Sequence, residues 1–296
     1  MKLIDCFIPF FALVRHFQLA PEGDAAALSA RLDGMVNEAR NRSRDAGYAD
    51  ADTEEALFAA AAWADETLIA ALTAAFAQAA NDDAVRAIVL RGNGKSFSAG
   101  ADLNWMNRMA GFSEPENLAD AKKLAALLQA IDTSPKPVIA RIHGNAFAGA
   151  IGLIACSDLA VAVAEAEFAV TEVRLGLIPA VISPYLIRAM GARQARRWFL
   201  TAERFTAEQA LALNLVHEVV AADQLDACVD HWIDAVRRAG PQALKAVKDL
   251  VRAVDASPDA ALIDETSRRI AAIRAGAEGK EGVSAFLEKR KPGWMT

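Results

Sequence analysis

Lys95-Ser-Phe-Ser-Ala-Gly-Ala-Asp-Leu103 follows a short apolar run, Ala87 to Leu90, and leads into a helical pattern that starts at Asp102. Small residues at such a strand-to-helix turn let a ligand approach the main chain. The first N–H groups of the helix have no internal acceptor, so they can serve an anion. Gly94-Lys95-Ser96 imitates the end of a Walker A loop, but Val89 stands where the leading glycine belongs. A second turn of the same kind, Gly144-Asn-Ala-Phe-Ala-Gly-Ala-Ile-Gly152, comes after a strand expected over Val138 to His143. Two such turns can aim two main-chain donors at one oxygen atom, the arrangement of an oxyanion hole; close helix–strand packing asks for the same small residues. A third stretch, Phe168-Ala-Val-Thr-Glu-Val-Arg-Leu-Gly-Leu-Ile-Pro179, embeds the carboxylate of Glu172 among apolar side chains. Desolvation there raises a carboxyl pKa and keeps the group available for proton transfer. The plainer alternative is a surface glutamate or one paired with Arg174. If the piece is extended, Arg174 shares the face of Glu172 and is placed to meet a second carboxylate on a substrate.

Around these motifs the pattern alternates. Helices are expected over Glu66 to Ala80, Asp102 to Met109, Ala119 to Asp132 and from Gly149 to Cys156. Strands are expected over Ala87 to Leu90, Val138 to His143 and Leu159 to Ala164, with a short extended piece from Glu167 to Thr171. Strands alternating with helices imply parallel pairing with crossovers, hence an α/β fold. From Pro184 onward helices dominate, broken at Ser183-Pro184, Gly191, Gly240-Pro241 and Ser257-Pro258. The front of the chain reads differently: Ile4 to Phe17, Ala25 to Ala46 and Thr53 to Leu68 all carry apolar residues at helical spacing. The expected division is a helical segment over 1–65, a core over 66–240 and a helical region over 241–296.

The 38 acidic against 32 basic residues leave a mild negative charge, with both signs spread along the chain, so a nucleic-acid partner is not expected. The early apolar stretch, Cys6 to Val14, is interrupted by Pro9 and falls short of the roughly 20 residues that span a bilayer. It also lacks the flanks of a secretory signal, so the expected location is cytoplasmic, with no membrane partner. Cys6, Cys156 and Cys228 are scattered, with neither a CxxC pair nor histidine at metal spacing; no metal site is expected. His16, His143, His217 and His231 are expected to be packed or solvated, and Trp105, Trp198 and Trp232 to line a core or an acyl pocket.

In their order and spacing the three motifs, together with Phe286-Leu-Glu-Lys-Arg-Lys-Pro292, resemble the crotonase (enoyl-CoA hydratase/isomerase) superfamily over about Ala64 to Thr296. The resemblance implies a ββα spiral core and a C-terminal helical trimerisation region, with assembly as a homotrimer or a hexamer. It implies an acyl-CoA substrate and no cofactor, coenzyme A being part of the substrate. The N–H groups of Ala101 and Gly149 would hold the thioester carbonyl, and Glu172 would exchange a proton with the α-carbon. Coenzyme A and the acyl chain would meet Ser98, Ala99, Gly100, Asp102, Leu103, Gly152 and Pro179, helped by Lys289 and Lys291, often from a neighbouring subunit. Asp102-Leu-Asn-Trp-Met106 and Ile178-Pro-Ala-Val-Ile-Ser-Pro-Tyr185 look most like hydratases of methylglutaconyl-CoA or isohexenylglutaconyl-CoA type substrates, from leucine and acyclic terpene breakdown. Hydration of an enoyl-CoA is the expected reaction. A Δ3,Δ2-enoyl-CoA isomerase is the alternative, because Gly152 occupies the position where many such hydratases carry a second glutamate. The family's usual glycine run is Ala148-Gly149-Ala150 here.

The front departs from that family. Leu3 to His16 and Glu54 to Leu68 look like the start of the DotU-like cytoplasmic domain of type VI secretion. A chimera is expected, in which the crotonase core lacks its usual first strands and shows an unpaired sheet edge. A non-catalytic scaffold or a secretion-associated binding protein is the alternative of another class.

Overall fold

A computed structural model of the chain describes residues 2–3, 54–60, 66–92, 94–100, 103–254 and 260–295. The expectations over 4–53, including the helices from Ile4 and Ala25, fall outside the described residues, as do Ala101 and Asp102.

The main sheet is parallel, in the order β1-β2-β3-β4-β6-β9. Its strands are β1 (Lys2–Leu3), β2 (Glu54–Ala60), β3 (Val85–Gly92), β4 (Val138–Ile142), β6 (Leu159–Val163) and β9 (Glu218–Val220). The central strands are continuous apolar runs; Ala87, Ile88, Val89 and Leu90 on β3 and Val138, Ile139 and Ala140 on β4 are fully buried. Such strands belong to a parallel sheet covered on both faces. A smaller sheet joins β5 (Ala146–Phe147) in parallel to β7 (Glu167–Ala169), with β8 (Phe205–Thr206) antiparallel at its edge.

Helix α1 (Glu66–Asn81) packs Ile69, Leu72 and Phe76 into the core. After α2 (Leu103–Met109), α3 (Glu114–Asp132) adds Leu127, Leu128 and Ile131. Helix α3 starts earlier than the apolar spacing suggested, because the Glu116 carboxylate accepts hydrogen bonds from the Ser113 N–H and hydroxyl at 2.8 and 2.6 Å and fixes the first turn. Helices α4 (Gly149–Cys156), α5 (Ser183–Thr201, kinked at Gly191), α6 (Ala207–Ala212) and α7 (Leu225–Arg238) complete the core. Beyond it lie α8 (Pro241–Ala253), α9 (Ala260–Ala275) and α10 (Ala277–Leu287). No helix among the described residues is long and apolar enough to cross a membrane.

One expectation fails at the front. Helical spacing covers Thr53 to Leu68, yet Glu54–Ala60 is a strand that pairs with β3 from Glu54↔Val85 to Ala60↔Gly92. The β2 side of β3 is therefore occupied, and among the described residues the expected unpaired sheet edge lies on the outer side of 56–60. The physical reason is that a buried strand must satisfy its main-chain groups on both sides, and that requirement outweighs the helix preference of Ala, Glu and Leu, which is under 1 kcal/mol per residue.

Candidate functional site

Ser98, Ala146 and Phe168 lie abreast. Ser98 bridges Ala146 in parallel, its N–H donating to the Asn145 carbonyl at 3.1 Å and its carbonyl accepting from Phe147 N–H at 3.1 Å. Ala146 and Phe147 pair in parallel with Phe168 and Ala169, and Ala148 N–H donates to the Ala169 carbonyl at 2.9 Å. Three segments running in one direction, each roughly 5 Å from the next, leave their ladders at the same end. Ser98 runs on into the turn through Gly100, Ala146 into Gly149 and Phe168 into Glu172. The register thus brings the three sequence motifs together.

The first turn is held by close main-chain approaches. A Cβ on Gly92 would stand 2.2 Å from the Phe97 carbonyl oxygen, and one on Gly144 2.4 Å from the Lys95 carbonyl oxygen. Nε2 of His143 donates to the Gly94 carbonyl at 3.0 Å. Burial pushes the His143 pKa down, with Arg141 and Arg91 adding to the effect against the Gly94 hydrogen bond, so the ring is a neutral clamp on the loop at pH 7. Ser98 is 3% exposed, both its main-chain groups are spent in the ladder, and its hydroxyl oxygen accepts from Gly100 N–H at 3.4 Å. Gly100 has φ +110°, with no atom within 4 Å of a Cβ placed on it. Ala101 and Asp102 lie outside the described residues, and of Leu103 the backbone alone is described, as the first residue of α2.

The second turn carries strain. Ala148 has φ 52° and ψ −126°, a conformation open to glycine and costly for a residue with a Cβ. That twist swings the chain from β5 into α4, whose first residue is Gly149. The Gly149 N–H has no carbonyl available within its helix, and a Cβ there would have no atom within 4 Å. No hydrogen bond among those of the described residues uses that N–H. One turn further, Gly152 is buried beneath Ile182: a Cβ on it would lie 2.4 Å from Ile182 Cγ2, 3.0 Å from Ile182 Cβ and 3.4 Å from Leu128 Cδ2. Gly152 is a packing position here, with the space a side chain would take filled by Ile182.

The third turn is a 3₁₀ helix, Glu172–Leu175, closed by Gly176 at φ 71°. One carboxylate oxygen of Glu172, Oε2, is buried and has no hydrogen-bond partner. Burial raises the pKa of the group, while the main-chain N–H groups of Glu172 and Thr171 pull the other way. The extended geometry that would put Arg174 beside Glu172 is not adopted. With about three residues per turn, two positions separate the side chains by roughly 240°, and Arg174 is exposed. Neither the ion pair nor a shared face with Glu172 is formed. After the turn, Leu175, Leu177 and Ile178 are exposed at 60, 56 and 74%, whereas Pro179 is buried and its carbonyl accepts from Ser183 N–H at 3.0 Å.

No hydrogen bond or ion pair among those of the described residues joins Lys289 or Lys291 to the three turns. Just after them, Trp294 is fastened at the other end of β3, its carbonyl accepting from Arg86 at 3.2 Å and its indole N–H donating to the Arg238 carbonyl at 3.2 Å. At about 3.3 Å per residue, Arg86 and Gly92 are roughly 20 Å apart along the strand. Among the described residues Cys156 and Cys228 are free, and burial raises both thiols, Cys228 to about 12. The two elements that sequence reasoning missed are Ile182, whose contact with Gly152 has no local signal, and the His143 clamp, for which the nearby Gly94 was the available hint.

Comparison with known proteins agrees with this geometry. The pattern described as Enoyl-CoA hydratase/isomerase matches residues 62–296, and that described as Type VI secretion system protein DotU matches residues 2–82. A Thermus thermophilus protein named as an enoyl-CoA hydratase is 36% identical over 216 residues, 71% of this chain and 83% of that one. The 2,3-dehydroadipyl-CoA hydratase of Escherichia coli is 35% identical over 218 residues, 72% of this chain and 82% of its own length. A crystal structure of an enoyl-CoA hydratase from Shewanella pealeana superposes with a TM-score of 0.76 at 47% identity, covering 80% of this chain and 87% of that one. Over residues 62–296, which carry the ladder through Ser98, Ala146 and Phe168, the chain belongs to the enoyl-CoA hydratase/isomerase family.

Proposed function

We propose that the chain adds water across the double bond of a 2-enoyl-CoA thioester, with Glu172 as its single acid/base group. The observation that carries this reading is the buried, unpartnered Oε2 of Glu172 at the same end of the ladder as the first residue of α4, Gly149. The thioester carbonyl accepts from Gly149 N–H and from the N–H of Ala101. As the oxygen of water bonds to the β-carbon, charge moves onto that carbonyl and the two dipoles stabilise the enolate; donors of this kind are worth about 3 to 4 kcal/mol each. Glu172 takes a proton from the water and returns one to the α-carbon, so the carboxyl ends as it began. Ala99, Gly100, Asp102 and Leu103 border the coenzyme A, while the exposed Leu175, Leu177 and Ile178 suit an acyl chain.

The acyl group we assign is of the branched glutaconyl type, on the strength of Ile178-Pro-Ala-Val-Ile-Ser-Pro-Tyr185, in leucine or acyclic terpene breakdown in the cytoplasm. Arg174 gives that assignment no support, since it faces away from Glu172. Exposed Val247 and Val251 on α8 and Phe286 and Leu287 on α10 favour self-association as a trimer or hexamer, from which Lys289 and Lys291 of a neighbour would reach the coenzyme. The plug at Gly152 favours one second reading: a lone carboxylate also suffices to move a proton along the chain, which is Δ3,Δ2 isomerisation. Supplying 2-enoyl-CoA and 3-enoyl-CoA separately and identifying the products separates the two. Glu172→Gln is expected to lose about 10²- to 10⁴-fold in turnover while still binding a CoA ester; near-normal turnover would remove Glu172 from its role.

A further inference from the structure

The family match begins at residue 62, yet the strand beside β3 is Glu54–Ala60, which lies inside the secretion-protein match over residues 2–82. Pairing runs in one register from Ala56↔Ile88 to Ala60↔Gly92, after an irregularity between Glu54 and Ala56. The neighbouring β1 covers Glu54 and Glu55 alone, so among the described residues the outer side of 56–60 is an edge. Residue side within β3 is fixed by one bond: Ile88 N–H donates to the Pro137 carbonyl at 2.8 Å, on the β4 side. Successive residues of a strand turn their main-chain groups to opposite sides, so Ala87, Val89 and Arg91 face β2. On β2 the same alternation turns Phe58 and Ala60 toward β3 and Leu57 outward. Glu-Glu-Ala-Leu-Phe-Ala-Ala is a helix-favouring composition, so pairing with β3, and not local preference, holds this segment extended. Beyond its last pair, β3 passes at Gly92 straight into the turn that approaches Phe97 and leads to Gly100.

We infer that Glu54–Ala60 is a surrogate edge strand, recruited from outside the family-matched region, that positions β3 and through it the thioester-binding turn. Its effect on hydrogen exchange is independent of the reaction assigned above; its effect on turnover rests on that reading.

The test uses the full chain and two single prolines. Phe58→Pro deletes an N–H directed at β3, while Leu57→Pro deletes one directed outward, where an edge strand tolerates proline. In the unaltered protein, Val89 and Arg91 amides are expected to be as slow to exchange as those of Ile88 and Leu90. Fast exchange at Val89 and Arg91 there overturns the inference before any variant is made. In Phe58→Pro these two amides are expected to exchange at least about tenfold faster, with Ile88 and Leu90 less affected, and kcat to fall about tenfold at a temperature where the protein remains folded, with little change in KM; Leu57→Pro is expected to keep both properties. Equal exchange in the two variants overturns the pairing, and equal kcat despite opened amides overturns the positioning role. If the unaltered chain hydrates no enoyl-CoA, the assigned reaction fails and the exchange measurement still decides the strand.

Discussion

Replacing Gly152 by alanine tests whether the single-carboxylate site is imposed by packing. The new methyl would start 2.4 Å from Ile182 Cγ2, more than 1 Å inside an ordinary carbon–carbon contact. Ile182 has little room to yield. It is 2% exposed, β-branched and therefore stiff at χ1, and its carbonyl accepts from Leu186 N–H at 3.2 Å at the entry to α5. Overpacking of this kind costs about 1 to 3 kcal/mol, while alanine in place of a helical glycine returns up to about 1 kcal/mol. For a unit of this size, each kcal/mol is about 2 to 4 °C in Tm, so a net cost of up to about 3 kcal/mol is expected to make Gly152→Ala melt up to roughly 12 °C lower by calorimetry. Adding Ile182→Ala is expected to relieve most of the clash, giving a coupling of about 0.5 to 3 kcal/mol between the two sites. If Gly152→Ala melts at or above the parent Tm, or Gly152→Glu folds undisturbed, Ile182 is not a barrier to a second acid and the packing argument fails.

Three further outcomes rest on the same geometry. Because burial raises the pKa of Glu172, the folded state holds this proton more tightly than the unfolded chain; its contribution is favourable at acid pH and is lost as pH rises through the folded pKa. Glu172→Gln is therefore expected to be more stable than the parent at pH 7, with the gap closing toward pH 4 in urea titrations, and an unchanged gap would contradict the burial. Ala148→Gly removes a strain of about 1 to 3 kcal/mol against about 0.5 to 1 kcal/mol of added chain entropy, so it is expected to melt a few degrees higher with turnover retained. Lys248, with a side chain 9% exposed, donates to Asp158 at 2.5 Å and to the Lys136 carbonyl at 3.0 Å and ties α8 to the core. Lys248→Met is expected to cost about 3 kcal/mol by stranding the Asp158 carboxylate, with Asp158→Asn recovering part of it in the same background.

The three turns were legible because the chemistry requires small residues where main chain meets ligand, and because Glu172 stands alone among apolar neighbours. Their meeting was not, since it depends on the registers Ser98↔Ala146 and Ala146↔Phe168, and register is a pairing property of distant segments. The same gap explains the failures. Helical periodicity over Thr53 to Leu68 was real, but the unsatisfied side of β3 decides the conformation of Glu54–Ala60. Arg174 shares the face of Glu172 only on an extended backbone, and a 3₁₀ turn rotates it away. The basic tail reads as a ligand-binding cluster in sequence, whereas Arg290 is taken up by Glu281 and Glu288, and Trp294 pins the chain end to the far end of β3.

The misplacement of Arg174 strengthens the case for Glu172. A guanidinium beside the carboxylate would stabilise its charged form and lower its pKa, leaving a poor donor to the α-carbon. No ion pair among the described residues includes Glu172, and burial is the largest influence on it. In the proposed reaction the charge that develops on the thioester would instead be met by main-chain dipoles, which polarise a carbonyl without protonating or deprotonating at neutral pH. That proposed division of labour would give the strain at Ala148, the residue that turns the chain into α4 at Gly149, a purpose. It also explains why a lone acid can serve: a carboxyl with one oxygen buried and unpaired can collect a proton from water and hand it on, provided no second charge competes for it. Ile182, by filling the space above Gly152, keeps such a competitor out.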